Sequence, residues 1–412
     1  MTKRVVITGI GAVSPLGNDA NTFLDNIFAS KTGIGPITKF DPSETGVSLA
    51  GEVKDFDPLE RIDKKVSKRM DDFSRYALYS AYEAMEQAGL KEGNFDPDEL
   101  GVIYGSGIGG LTTIQEQAIK MSKKGPGRVS PFFVPNSIIN MAAGNISINL
   151  NARNTSQAIV TACSSGTNAI GDAFDYIRFG KAKMMITGGS EASVNELGIA
   201  GFAALSALST SETVEGGSIP FDKDRNGFVM GEGAGTLVLE ELEHAKARGA
   251  NILGEIVGYG TNSDAYHLTA PRPDGSGAVD AMKLALKDAN VDPKDVDYVN
   301  AHGTSTHAND SAESQAIKKV FADNDHIKVS STKGMTGHAL GAAGSLEAVI
   351  MVGALQRQQM PVNYGVKNID PEVEVELVNE DNKKSPVNYE ISNSFGFGGH
   401  NAVLVFKKYG ND

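Results

Sequence analysis

Cysteine is nearly absent from this chain: Cys163 is the single cysteine among 412 residues. One cysteine excludes an intramolecular disulfide framework and is typical of a reducing compartment, so we expect a cytoplasmic protein. No run of about 18 apolar residues occurs, and no membrane span is predicted. The first apolar run is broken by Gly9, Gly11 and Pro15, so we interpret it as a strand and turn, not a signal peptide.

Positive charge is also in deficit, with 38 Lys and Arg against 51 Asp and Glu and a net charge of −13. This balance argues against non-specific nucleic-acid binding, which needs a basic face. A local basic patch can still attract an acidic partner. Basic residues cluster in two short stretches, Arg61, Lys64, Lys65, Lys68 and Arg69 in one and Lys123, Lys124 and Arg128 in the other. The first stretch is either a solvated helix face or a docking surface.

The chain is longer than a single core usually grows, so two domains or two fused halves are expected. Its pattern repeats. Residues 81–90 have helical apolar spacing and lead through an Asp/Pro loop into the apolar stretch 100–107. Residues 278–290 lead into 296–303 in the same way. Each unit predicts a helix, a short loop, a strand and a glycine turn.

Two further points of the repeat keep the same order. Cys163 precedes a helical run, and His338 precedes another, so the repeat places His338 where Cys163 stands in the first half. The glycine turn and strand at 227–242 resemble those at 394–408. We therefore predict a duplicated α/β unit with mostly parallel sheets, divided into halves 1–250 and 251–412.

Cys163 lies between a strand-like segment and a predicted helix, in "TACSSGTNAI". At a helix N-terminus the macrodipole and free N–H groups favour a thiolate, which is the attacking form of cysteine. The small neighbours leave room for a substrate, as in the strand–nucleophile–helix turn of serine hydrolases. The alternative is a buried, inert cysteine that only fills the core.

Two histidines lie where chemistry is expected in an α/β protein. His302 follows an apolar strand in "VNAHGTST", and His338 stands in the glycine-rich segment "SSTKGMTGHALGAAG". Strand ends of parallel sheets are common active-site positions. The spacing of His302 and His307 does not match a zinc motif and no second cysteine exists, so a metal site is disfavoured. The glycine-rich stretches near the start lack dinucleotide-binding spacing.

Five stretches together resemble a known family: "TACSSGTNAIGDAF", "GFVMGEGAG", "NAHGTST", "SSTKGMTGHALGAAG" and "NSFGFGGHNAVLVF". They resemble the β-ketoacyl-[acyl-carrier-protein] synthases, above all the elongating type II enzymes of bacterial fatty-acid synthesis. The resemblance covers essentially the whole chain. It implies an α/β fold of the thiolase type, a duplicated five-layer α-β-α-β-α sandwich that is usually a homodimer.

The resemblance implies an acyltransferase with assigned residues. Cys163 would take an acyl chain from acyl-carrier protein as a thioester, and its N–H with that of Phe397 would form an oxyanion hole. Malonyl-carrier protein would then lose carbon dioxide, and neutral His302 and His338 would hold the enolate. Lys333 would organise these histidines.

The resemblance also assigns supporting residues. Glu347 would neutralise Lys333. No cofactor is implied beyond the phosphopantetheine arm that the carrier protein brings, and no metal. Substrate-binding positions carried over from the family are Ile108, Phe202, Thr304, Thr306, Asp264 and His267. The carrier protein would dock on Lys64, Lys65, Lys68 and Arg69, where positive charge steers acidic helices.

Departures and alternatives remain. His307 replaces the usual proline after "HGTST", and Ser206 stands where relatives often carry an arginine for the carrier protein. A thiolase would need a second cysteine, and the initiating ketosynthases use Cys, His and Asn, so both are disfavoured. A type I elongating enzyme or a polyketide ketosynthase would use the same chemistry. A non-catalytic partner subunit, a chain-length factor, would typically lack Cys163.

Overall fold

The computed structural model describes residues 2–410. Within this range the chain forms twelve strands. In chain order they are β1 (Val5–Val13), β2 (Gly35–Pro36), β3 (Leu49–Ala50), β4 (Leu100–Gly105), β5 (Ser156–Ile159), β6 (Met184–Glu191), β7 (Gly233–Glu241), β8 (Gly254–Ser263), β9 (Tyr298–Asn300), β10 (Lys328–Ser330), β11 (Tyr389–Gly396) and β12 (His400–Lys407).

The same residues contain thirteen α-helices and several short 3-10 turns. The helices are α1 (Ala20–Phe28), α2 (Lys64–Ser67), α3 (Asp72–Gln87), α4 (Leu111–Lys124), α5 (Phe133–Ser137), α6 (Met141–Leu150), α7 (Ser165–Arg178), α8 (Glu196–Ala204), α9 (Leu242–Ala247), α10 (Ser276–Ala289), α11 (His307–Val320), α12 (Lys333–Thr336) and α13 (Ala343–Arg357). None of the helices in the described range is long and apolar enough to cross a bilayer.

Ten strands form one sheet in the order β10-β9-β11-β12-β8-β1-β7-β6-β4-β5. Its two halves have the same topology. In the first half the order from the centre outward is β1, β7, β6, β4, β5, and in the second it is β8, β12, β11, β9, β10. Each half therefore places its first strand at the centre, followed by its fifth, fourth, second and third. The predicted duplication is confirmed.

The strand directions also match between the halves, but they are not mostly parallel. In the first half β4 pairs in parallel with β5 and β6, whereas β7 runs antiparallel to β6 and β1. The second half repeats this pattern. The prediction of mostly parallel sheets is wrong because the last strand of each half returns antiparallel, in the second half through the tight Gly396–His400 hairpin.

The five strands of each half form a half-sheet. These two half-sheets alternate with three layers of helices, which makes five layers. Helices α7 and α13 contact each other and strands of both halves, and so form the central layer. Helix α3 covers β1 and β7 on one outer face, and α10 covers β8 and β12 on the other. Every residue of α13 from Ala343 to Leu355 is buried, as expected for a helix that is apolar all round.

The strand pairing that joins the two halves of the sheet is short. Strands β1 and β8 pair antiparallel over three positions, Val5 with Ile256, Val6 with Glu255 and Ile7 with Gly254. The guanidinium of Arg4 adds a 2.6 Å ion pair to the Glu255 carboxylate. The predicted division at residue 250 falls on the connection between β7 and β8, and it stays a prediction.

The equivalence of His338 and Cys163 in the repeat is wrong by three residues. A 3-10 turn at Ala162–Ser164 precedes α7, and a matching turn at Leu340–Ala342 precedes α13. Both turns begin with a non-glycine residue in the left-handed region, Ala162 at φ 51° and Leu340 at φ 49°. The structural counterpart of Cys163 is therefore Gly341. The sequence alignment was shifted because the segment before α13 is rich in glycine and gives few side chains to align.

Candidate functional site

The turn that carries Cys163 is fixed by hydroxyl groups. The N–H of Thr161 donates to the Ser165 hydroxyl at 2.9 Å, and that hydroxyl donates to the Ala162 carbonyl at 2.7 Å. Ser164 donates to the His400 carbonyl in the second half at 2.9 Å. A Cβ on Gly166 would lie 2.9 Å from the Gly341 carbonyl. The small residues around Cys163 therefore let the two halves approach closely.

Cys163 is buried, and burial raises the pKa of its thiol to about 12. Its position at the start of α7 does not by itself make a thiolate, because desolvation disfavours the charged form more strongly. The positive charge of Lys333 opposes this rise in pKa. The backbone N–H groups of Phe397 and of Cys163 itself also oppose the rise in the pKa of the thiol.

The thiol opens into a cavity of about 290 Å³ at the junction of the two halves. Cys163 comes from the first half, and His302, His338 and Phe397 come from the second; all four line the cavity. The structure thus places four of the five predicted catalytic residues around one cavity. Lys333, the fifth, is buried outside the cavity lining, and its charge acts on Cys163 and both histidines.

The two imidazoles face each other edge to face, with ring centroids 5.2 Å apart. Burial lowers the pKa values of both histidines well below 6.5, and the charge of Lys333 lowers them further. Both rings are therefore neutral near pH 7. The backbone N–H of Leu340 donates to Nδ1 of His338 at 3.3 Å. Nδ1 is thus the acceptor, which leaves the proton on Nε2 and makes that atom a donor.

Lys333 and Glu347 form the buried ion pair that the resemblance implied. The Lys333 ammonium bonds to Glu347 Oε1, and both side chains are almost completely buried. Burial raises the pKa of the Glu347 carboxyl, while the adjacent ammonium opposes this. The pair holds a fixed positive charge close to Cys163 and both histidines.

The predicted substrate-binding residues divide into three groups. Phe202, Asp264, Thr304 and Thr306 line the cavity, and the two threonine hydroxyls are 2.9 Å apart. Ile108 packs in the same apolar cluster as Cys163. The structure does not place His267 on the cavity wall: its ring is exposed, and its Nδ1 accepts from the N–H groups of Thr269 and Ala270 in its own loop.

Several cavity residues were not predicted. Phe228 lies against the His338 ring with centroids 5.1 Å apart, and Phe395 lies 5.6 Å from His302. Asn401 donates to the Asp264 carboxylate at 2.7 Å. Each stands inside a quoted glycine-rich motif, so the signal was present, but nothing in the spacing told which side chain would face the cavity.

The basic stretch lies on the surface as a short helix and its C-terminal extension. Lys64, Lys65, Lys68 and Arg69 are all exposed. The Arg69 guanidinium stacks over the Phe132 ring at 5.3 Å. Across residues 2–410, no group of three His, Cys, Asp or Glu side chains is arranged to hold a metal ion.

Two family models match this chain. The model described as "Beta-ketoacyl synthase, N-terminal domain" matches residues 2–245, and "Beta-ketoacyl synthase, C-terminal domain" matches residues 253–367. The chain belongs to the β-ketoacyl synthase family. The resemblance found in the sequence is thereby confirmed, and so is the thiolase-type α/β fold.

Similar proteins extend over the full length of this β-ketoacyl synthase. It is 50% identical over 408 residues to "3-oxoacyl-[acyl-carrier-protein] synthase 2" of Staphylococcus aureus strain N315, covering 99% of both chains. It is 49% identical over 409 residues to the protein of that name from a Synechocystis strain, covering 99% and 98%. A solved type II PKS ketosynthase, in complex with its acyl-carrier protein and bound to the hexaketide, matches with a TM-score of 0.91, 32% identity and 99% coverage of both chains.

Proposed function

We propose that this chain is a 3-oxoacyl-[acyl-carrier-protein] synthase of type II, which lengthens a fatty acyl chain by two carbons. One observation carries the proposal: the Cys163 thiol and the imidazoles of His302 and His338 line one cavity, with the two ring centroids 5.2 Å apart. The 50% identity to proteins of that name over the full chain supports the assignment.

The first step transfers the acyl chain to the enzyme. Cys163 sulfur attacks the thioester carbonyl of acyl-carrier protein, and a new carbon–sulfur bond forms. The developing oxyanion receives hydrogen bonds from the N–H groups of Cys163 and Phe397. The old carbon–sulfur bond then breaks, and the thiol proton of Cys163 ends on the released carrier-protein thiol. Because the thiol is protonated in the resting state, this proton travels with the transfer.

The second step generates the carbon nucleophile. Malonyl-carrier protein occupies the cavity, and the bond between its carboxylate carbon and C2 breaks. Carbon dioxide leaves, and the electron pair remains as an enolate of the thioester. Nε2–H of His338, which is left as a donor because Nδ1 accepts from Leu340, would donate to that enolate oxygen. The His302 ring stands beside it, with the two ring centroids 5.2 Å apart. A neutral imidazole donates without the cost of bringing a second buried cation next to Lys333.

The third step forms the product. C2 of the enolate attacks the acyl carbonyl on Cys163, and the same two N–H groups stabilise the oxyanion. The carbon–sulfur bond to Cys163 breaks, and the sulfur takes one proton from solvent. Thr304 and Thr306, on the wall that leads to Cys163, are suited to hydrogen-bond the phosphopantetheine arm. The chemical drive comes from loss of carbon dioxide, so the scheme uses no redox or organic cofactor.

Acyl-carrier protein is the proposed partner. The exposed positive charges of Lys64, Lys65, Lys68 and Arg69 suit an acidic protein. We further propose a homodimer, a cytoplasmic location consistent with the single reduced cysteine, and halves divided near residue 250.

Intact mass spectrometry tests the function directly. The protein is mixed with a medium-chain acyl-carrier protein, beside a Cys163→Ala variant as control. We expect an acyl-sized mass gain in the wild type alone, discharged by malonyl-carrier protein with release of a 3-oxoacyl product. Absence of the gain in folded wild type with active carrier protein would contradict the assignment of Cys163.

A further inference from the structure

Glu191 is a buried carboxylate that the reaction scheme leaves unused. It is the last residue of β6, and its side chain has no solvent exposure. Oε2 accepts from the N–H groups of Gly107 at 2.8 Å and Gly341 at 3.0 Å. Oε1 accepts from the N–H groups of Ile108 at 3.1 Å and Gly109 at 3.3 Å.

Two hydroxyl groups complete this junction. Ser106 donates to Oε1 of Glu191 at 3.3 Å, and Ser193 lies 3.4 Å from the same oxygen. Burial raises the pKa of the Glu191 carboxyl, and the hydrogen-bond donors oppose this rise. With four N–H groups aimed at two oxygens, only the carboxylate form satisfies every donor. Charge-assisted hydrogen bonds of this kind are stronger than those between neutral groups.

Glycines make the junction possible. A Cβ on Gly107 would lie 2.8 Å from Glu191 Oε2. A Cβ on Gly341 would lie 2.2 Å from the Gly107 nitrogen and 2.8 Å from the same oxygen. Backbone from both halves therefore closes on one carboxylate, with no room for another side chain.

The segments held by Glu191 are those that surround the thiol. The 106–109 turn carries Ile108, which packs in the apolar cluster with Cys163 and Leu340. Gly341 follows Leu340, whose N–H fixes the His338 ring. One carboxylate thus links the acyl side of the site to the histidine side.

We propose that Glu191 is a positioning residue: it holds the wall at Ile108 and the Gly341 turn of the second half in fixed register with Cys163, and so sets which acyl chains the site accepts. This inference rests on the proposed function. When the anchor is weakened, the Ile108 wall is free to move away from the thiol, and longer acyl chains gain relative to shorter ones.

The pKa of the Cys163 thiol also depends on the charge of Glu191. Burial is the main cause of the raised pKa of Cys163. The charge of Lys333 lowers this pKa, and the charge of Glu191 raises it. The other titratable groups facing the thiol across the cavity are His302, His338 and Asp264. Removing the Glu191 charge is expected to lower the pKa of Cys163, so that alkylation at a given pH becomes faster.

The test compares Glu191→Gln with Glu83→Gln. Glu83 serves as the control, because it is a partly buried carboxylate that also accepts two backbone N–H groups, from Ala12 at 2.9 Å and Ala20 at 2.7 Å. It stands on the outer helix α3, outside the cavity lining. Two quantities are measured: the ratio of kcat/KM for a long-chain over a medium-chain acyl-carrier protein, and the pH profile of alkylation by iodoacetamide.

We expect Glu191→Gln to raise the chain-length ratio by on the order of ten-fold and to shift the alkylation profile to lower pH. Glu83→Gln should change neither, whatever its effect on thermal stability. The proposal is overturned if Glu191→Gln leaves the chain-length ratio at its wild-type value, whatever the alkylation profile shows, or if Glu83→Gln raises the ratio as much.

Two further arms keep the result decisive. If Glu191→Gln does not fold, Ser106→Ala removes one donor to the carboxylate and must shift the chain-length ratio in the same direction; no shift overturns the proposal. If the wild type is never acylated, the proposed function itself fails. The chain-length proposal then falls with it, whereas acylation of the wild type with an unchanged chain-length ratio in Glu191→Gln overturns this proposal alone.

Discussion

Replacing Lys333 with methionine should make the stability of this protein strongly dependent on pH. In the wild type the Lys333 ammonium and the Glu347 carboxylate are paired in the core, with side chains only 1% and 3% exposed. Lys333→Met keeps most of the side-chain volume and removes the positive charge. Glu347 is then a buried carboxyl without its cation.

The magnitude follows from that burial. Breaking a buried pair by removing one partner costs about 3–5 kcal/mol when the other stays charged. Burial already raises the pKa of Glu347, and the loss of Lys333 removes the group that opposes the rise. A carboxyl whose pKa is higher in the folded than in the unfolded state destabilises the fold as pH rises, because the unfolded state then releases its proton more readily.

The expected result is a gap in unfolding free energy between wild type and Lys333→Met that is small at pH 5 and widens to about 3 kcal/mol or more by pH 8. Urea unfolding followed by circular dichroism measures it. Lys246→Met is the control, because Lys246 pairs with Glu243 at 3.3 Å on the surface and such pairs contribute about 0–1 kcal/mol.

A double variant, Lys333→Met with Glu347→Leu, removes both charges. It should recover much of the loss, since replacing a buried pair by apolar groups is often close to neutral. A gap below 1 kcal/mol at both pH values, or one that narrows as pH rises, would refute the reasoning.

Three other predictions concern the nucleophile, the core and the surface. The rate of Cys163 alkylation should keep rising beyond pH 9, because burial holds the pKa of the thiol at about 12; a plateau near pH 7 in a stopped-flow assay would contradict this. Gly344→Ala should destabilise the protein by about 1–3 kcal/mol, measured by thermal unfolding, because its Cβ would lie 1.9 Å from the Thr167 hydroxyl oxygen. Lys65→Glu with Lys68→Glu should lower kcat/KM for acyl-carrier protein about ten-fold at low salt; an equal loss with a pantetheine thioester would argue against a docking role.

Much of the fold was readable because the repeat is carried by spacing. A helix, an Asp/Pro loop and a strand recur in order, and the structure has α3 with β4 and α10 with β9 at these places. Strand direction was not readable. Apolar runs report that a strand is buried, and they do not report which way it runs beside its neighbour.

The site divides in the same way. Cys163, His302 and His338 could be predicted, since unusual residues at strand ends and glycine turns point to chemistry. The raised pKa of the Cys163 thiol could not be predicted, because it depends on how closely both halves pack around the sulfur. The role of Glu191 could not be predicted either. An acidic residue at the end of an apolar strand does not indicate that four N–H groups from distant segments will bond to it.

The matching turns before α7 and α13 have a consequence for how many nucleophiles such a molecule can hold. Duplication of one unit offers two equivalent places, one now occupied by Cys163 and the other by Gly341. The second place is closed, because any side chain there would collide with the Gly107 backbone. Close packing of the two halves at this turn therefore leaves Cys163 without a side-chain counterpart in the second half.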